Sequence, residues 1–199
     1  TGPFGPGTVF GGPSLNLNLI RASLALKSLK TGQLLESLQQ RLNASTAASN
    51  TWAGLQMFRE NQIQQSDPRM QKVYAHFERN LNHILDAGEN AGAKILVSTV
   101  ASNLKDCAPF ASAHGRKLND AQQAAWERLY SQGTALETAG QFQEAISNYL
   151  AAAEIDADFA ELQFRLGRCH RAQNDLKSAR RCFESARDLD TLRFRADAK

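Results

Sequence analysis

Apolar positions along this chain fall into three regimes. In the first, Leu15, Leu19, Ala22, Leu26 and Leu29 recur at spacings of three and four, which marks one apolar helix face. Ser14 after Pro13 reads as its cap and Gly32 as its stop. A shorter helical patch follows through Leu34, Leu35, Leu38 and Leu42, and the small polar stretch 43–50 reads as a loop. Residues 1–14 are too rich in glycine and proline for a helix or central strand, so they predict a loop anchored by Phe4, Val9 and Phe10.

The second regime opens at Asp67-Pro68, a strong helix start. Asp67 can accept from the free amides of a first turn, and Pro68 sits where no amide hydrogen is needed. Val73, Phe77, Leu81 and Ile84 or Leu85 continue the stripe until Gly88 or Gly92 ends it. Residues 94–100 (Lys-Ile-Leu-Val-Ser-Thr-Val) are then short, apolar and β-branched, and predict a buried strand. A long helix, a small-residue turn and a buried strand form the second half of a βαβ crossover. One strand makes no sheet. Its neighbours must come from outside this chain or from another chain, so the unpaired strand also offers an oligomer contact.

The third regime follows a loop over 101–118 that contains Pro109 and Gly115. From about Asn119 the pattern is purely helical and repeats with a period of 34: Gly133 matches Gly167, Ala145 Ala179, Tyr149 Phe183, Ala152 Ala186, and Asp156 Asp190. This resembles the tetratricopeptide repeat, over about 126–159 and 160–193. The resemblance implies antiparallel helical hairpins, with small residues at close crossings (Gly133 against Ala145, Gly167 against Ala179) and Tyr149 and Phe183 filling space between hairpins. Gln141 and Asn174-Asp175 fall in the turns. Ala157 and Thr191 stand where the family usually has proline. Two repeats are fewer than the three or so that usually stand alone, so the pair must lean on other chain. The first helix of each hairpin is expected to line a concave groove. That places Glu127, Tyr130, Thr134 and Glu137, then Glu161, Phe164, Arg168 and Arg171, toward a protein or peptide partner.

Composition narrows the classes. The 199 residues include 23 basic and 20 acidic, which is too balanced for a nucleic-acid surface. No run approaches the ~20 apolar residues that span a bilayer. Cys107, Cys169 and Cys182 form no even, regularly spaced set, so reduced, packed thiols compatible with a cytoplasmic setting are expected. The opening Thr1-Gly2-Pro3 suggests an excised piece, whose parent could equally be membrane-anchored or exported.

Candidate chemistry is sparse. The glycine-rich opening lacks the Lys-Ser/Thr of a phosphate-binding loop, and there is no Gly-x-Ser-x-Gly, His-Glu-x-x-His or paired Cys-x-x-Cys. No cofactor or metal site is expected; His76 and His83, seven apart on one helix, read as surface residues. Cys107 and His114 share a loop and define a minor thiol–imidazole hypothesis, testable by alkylation.

Three further segments carry a second resemblance: 2–10 (Gly-Pro-Phe-Gly-Pro-Gly-Thr-Val-Phe), 74–81 (Tyr-Ala-His-Phe-Glu-Arg-Asn-Leu), and 97–106 with Ala108-Pro109-Phe110. Together they resemble a bacterial family that sets tetratricopeptide repeats inside a GDSL/SGNH-type hydrolase-like domain. The resemblance implies a flavodoxin-like α/β sandwich whose catalytic blocks would flank this chain, leaving no catalytic residue within it. Ser98, Ser102 and Asn103 would border the parent's cleft at the carboxyl end of the strand. The sequence therefore predicts a mostly α chain: an incomplete α/β (SGNH/flavodoxin-like) segment over 1–118 and a two-repeat array over 119–199. Its expected role is a protein- or peptide-binding module within a fragment of an ester hydrolase; the alternative is a non-enzymatic repeat scaffold.

Overall fold

A computed structural model describes residues 62–198 together with Ala25, Leu29 and Lys30. The chain divides into two compact units, Thr1–Met57 and Phe58–Lys199, and all that follows concerns the second. The loop at 1–14, the helices predicted over 14–32 (save Ala25, Leu29 and Lys30) and 34–42 and the loop at 43–50 lie outside the described residues.

The described residues form five helices and no strand: α1 Arg69–Asn90, α2 Asp120–Thr138, α3 Phe142–Ile155, α4 Ala160–Ala172 and α5 Leu176–Leu189. α2 pairs with α3 and α4 with α5 as hairpins, and α3 packs on α4, so the hairpins stack in chain order. Sequence chemistry sets their ends. Asn119 caps α2, accepting from Gln122 N at 2.9 Å, while the Gln122 side chain accepts from Asn119 N at 3.2 Å. This reciprocal pair satisfies two otherwise free amides. Both hairpin turns use the same stop, a residue in left-handed conformation: Gly140 (φ 75°) and, 34 positions on, Asn174 (φ 62°). The amides that follow close the motif, from Gln141 N to Leu136 O and from Asp175 N to His170 O, each at 2.9 Å.

The glycines at the repeat positions admit aromatic rings. A Cβ on Gly133 would stand 2.6 Å from the Tyr149 ring, and one on Gly167 would stand 2.8 Å from the Phe183 ring. The close approach is therefore between each glycine and the aromatic of its own hairpin, a finer arrangement than the glycine–alanine crossing expected. The main core joins Trp126, Ala145, Ile146, Tyr149 and Ala152 of the first hairpin to Leu162, Leu166 and Cys169 of the second.

The chain before the repeats is fastened to them. Ile63, Met70 and Leu192 are buried. Ile63 N donates to Thr191 O at 2.9 Å and Gln64 Nε2 to His114 O at 2.7 Å. The Tyr74 hydroxyl donates to Asp197. Farther along α1 the apolar stripe faces solvent, with Phe77 66% and Ile84 68% exposed.

The strand predicted over 94–100 is not formed. Those residues lie exposed without regular structure, Leu96 at 93% and Val100 at 76%. The physical reason is the one the sequence raised: a strand exists only in a ladder, and no neighbouring strand stands among the described residues. α1 ends at Asn90, two residues before Gly92 in its left-handed conformation (φ 71°), and Ile95 folds back against Gly88. The α/β half of the expected fold is thus replaced, in the described residues, by a helix and an extended apolar segment.

Candidate partner-binding surface

The first helices of the hairpins, α2 and α4, bring most of the sequence-selected residues onto one charged network. Its hub is Glu137, whose side chain is only 6% exposed. Glu137 Oε2 accepts from the Tyr149 hydroxyl at 2.8 Å and from Arg165 Nη1 at 3.0 Å. Arg165 also donates through Nε to the Tyr130 hydroxyl at 3.0 Å, lies 3.1 Å from Glu161 Oε1, and stands over the Tyr130 ring at 5.8 Å. Tyr130 stacks on Trp126, with centroids 4.9 Å apart and planes within 12°. Thr134 donates to Tyr130 O and lies 3.3 Å from the Tyr149 hydroxyl.

Burial decides the charge states here. Loss of water raises the Tyr130 and Tyr149 phenols above their ordinary range, so both stay protonated and able to donate. Burial also raises the Glu161 carboxyl, although Arg165 opposes it. Glu137 keeps one oxygen, Oε1, without a hydrogen bond; the nearest cation is Arg168 Nε at 3.3 Å. Arg168 is 56% exposed. Glu137, Phe142, Arg168, Arg171 and Ala172 line an open depression of about 330 Å³. Two arginines, one buried carboxylate and one aromatic residue therefore border the same space.

The other selected residues are placed differently. Glu127 is exposed and accepts from Gln123 at 3.0 Å. Phe164 is buried against Phe183, with centroids 5.4 Å apart. Ser98 is exposed, Ser102 half-buried, and Asn103 accepts from Asp106 N in a turn. Sequence reasoning missed Arg165, the most connected side chain of the network. Its signal was the Glu161–Arg165 spacing of four, which places both on one helix face.

The thiol–imidazole idea finds no geometry. The Cys107 thiol approaches the Ala108 carbonyl at 3.8 Å, whereas His114 Nδ1 lies 2.8 Å from Asp156 Oδ2 and its ring packs on Trp126 and Phe159. The Cys169 thiol is buried and pushed up to about 12 by loss of water, the opposite of an activated nucleophile. Among the described residues no group of histidine, cysteine and carboxylate side chains could hold a metal ion, and no helix is long and apolar enough to cross a membrane. A larger depression, about 470 Å³, lies along Gln62, Ile63, Gln64, Asp67 and Ala113. Its one ionisable side chain, Asp67, is held by Arg69 at 2.7 Å, so it presents little for recognition.

Stacked antiparallel hairpins with a sequence period of 34 define a helical-repeat module. The repeat is of the tetratricopeptide type: residues 136–196 match the tetratricopeptide repeat family. No curated protein and no solved structure matches the chain. Tetratricopeptide repeats serve as protein–protein interaction modules, and this chain carries such a module.

Proposed function

We propose that the repeats bind an extended segment of a protein partner along α2 and α4. An acidic side chain of the partner pairs with Arg168 and Arg171. The observation that carries this reading is the depression at Glu137, Phe142, Arg168 and Arg171. Its two arginines sit beside a carboxylate that is already shared with Arg165, so they retain capacity for an anionic ligand. The test is selection of a random peptide library on the immobilised chain. Enriched peptides should carry Asp or Glu and lose binding to Arg168→Glu/Arg171→Glu, with the helical circular dichroism unchanged. Selected peptides that bind the double variant as well as the parent would refute this reading.

A second reading is favoured by α1 and the segment 94–100. An apolar helix face beside an apolar extended segment, both exposed, is what one layer of an α/β sandwich presents without its sheet. This supports descent from an SGNH-type hydrolase with inserted repeats. Among the described residues no hydrogen bond joins a serine to a histidine, so the chain should not hydrolyse p-nitrophenyl acetate. Turnover sensitive to a serine-directed inhibitor would contradict that.

A further inference from the structure

The two hairpins present equivalent stacking faces, and among the described residues only the first of these faces meets another hairpin. In the first, Tyr130, Ala145, Tyr149 and Ala152 belong to the core that receives Leu162, Leu166 and Cys169 of α4. Their counterparts 34 positions on are Phe164, Ala179, Phe183 and Ala186. These four are buried to 7%, 3%, 5% and 1% exposure, yet no third hairpin stands among the described residues. Among the described residues, the partly buried side chain packed against them is Leu104, from the segment that precedes the repeats.

The same segment is held along its length by matched groups. Asp156 and Asp190, one period apart, each use Oδ1 to accept the amide two residues on, Asp158 N at 3.0 Å and Leu192 N at 3.1 Å. Each carboxylate then grips the preceding segment. Asp190 accepts from Phe110 N and Ala111 N at 2.9 and 3.2 Å, and Asp156 accepts from Gly115 N at 3.2 Å and meets His114. Ser112 Oγ accepts from Glu161 N at 2.9 Å, capping α4 where its own N-cap residue, Phe159, offers no side-chain bond. Arg195 donates to Cys107 O at 2.7 Å.

We infer that residues 104–112 take the place of a third repeat's first helix. They cover the stacking face of the second hairpin and mask it from other chains. The occupant of that face is thus this chain's own segment rather than a third hairpin or a second copy. This also explains how two repeats hold together where three are usual.

The experiment compares the parent chain with Leu104→Asp by sedimentation velocity over a hundredfold concentration range. The variant should self-associate through its uncovered face, and a synthetic peptide of residues 101–114 should reverse this, whereas the same peptide carrying Leu104→Asp should not. A variant that sediments as the parent does, or an association indifferent to the peptide, overturns the inference. Should Leu104→Asp lose its helical signal, amide exchange at 179–186 is read in Leu104→Ala: faster exchange than in the parent supports masking, and unchanged exchange overturns it.

Discussion

At the scale of single residues, the two glycines of the repeat motif are answered by rings rather than by small neighbours. Gly133→Ala drives a methyl to 2.6 Å from the Tyr149 ring. Overpacking of that kind should cost about 1–3 kcal/mol, read as a lower denaturant midpoint. Glu137 makes the complementary case. Its removal strands the Tyr149 hydroxyl and one face of Arg165, so Glu137→Ala should cost about 2 kcal/mol and Glu137→Gln, which can still accept from Tyr149, distinctly less. Tyr74 carries a pH signature. Burial, with Asp197 beside it, pushes its phenol from 10.0 up to about 12. The unfolded chain releases that proton first, so the stabilising contribution is full below pH ~10 and is lost as pH rises through about 12. Urea midpoints should fall more between pH 9 and 11 for the parent chain than for Tyr74→Phe; equal falls would dissociate Tyr74 from the effect.

At the scale of elements, the repeat helices were legible because their signals are local. The small and aromatic positions recur at a fixed period and act within their own hairpin; the Asn119–Gln122 cap and the Gly140 stop are equally local but went unread in the sequence. Gly140→Ala should therefore cost about 1 kcal/mol, because only glycine takes a left-handed conformation without penalty, and Asn174→Gly should be neutral or slightly stabilising. Thermal melts of both variants check the pair; the reverse order of stabilities would refute the shared stop. The segment 94–100 shows where local signals fail. Its β-branched, apolar residues state a preference for a strand, but a strand is a relation between two segments and no preference supplies the second.

At the scale of the whole molecule, the fastening of 104–115 across the repeats was not legible at all. The Asp156–Asp190 match appeared in the sequence as a repeat position, with nothing to say that both carboxylates grip the same upstream loop. Such contacts join residues 41 to 80 positions apart, beyond the reach of any periodicity. The binding surface was half legible. Helix position selected Glu137, Arg168 and Arg171, while the long-range bonds that tie Arg165 into the network, to Glu137 and Tyr130, come from stacking α4 on the first hairpin.

The central claim is that this surface, and not the exposed face of α1, receives a partner. Hydrogen–deuterium exchange of the chain with and without a library-selected peptide tests it most directly. Exchange should slow over 134–142 and 165–172 and stay unchanged over 69–100. Slowing confined to 69–100 would move the working surface to α1 and its extended neighbour, and would contradict the account.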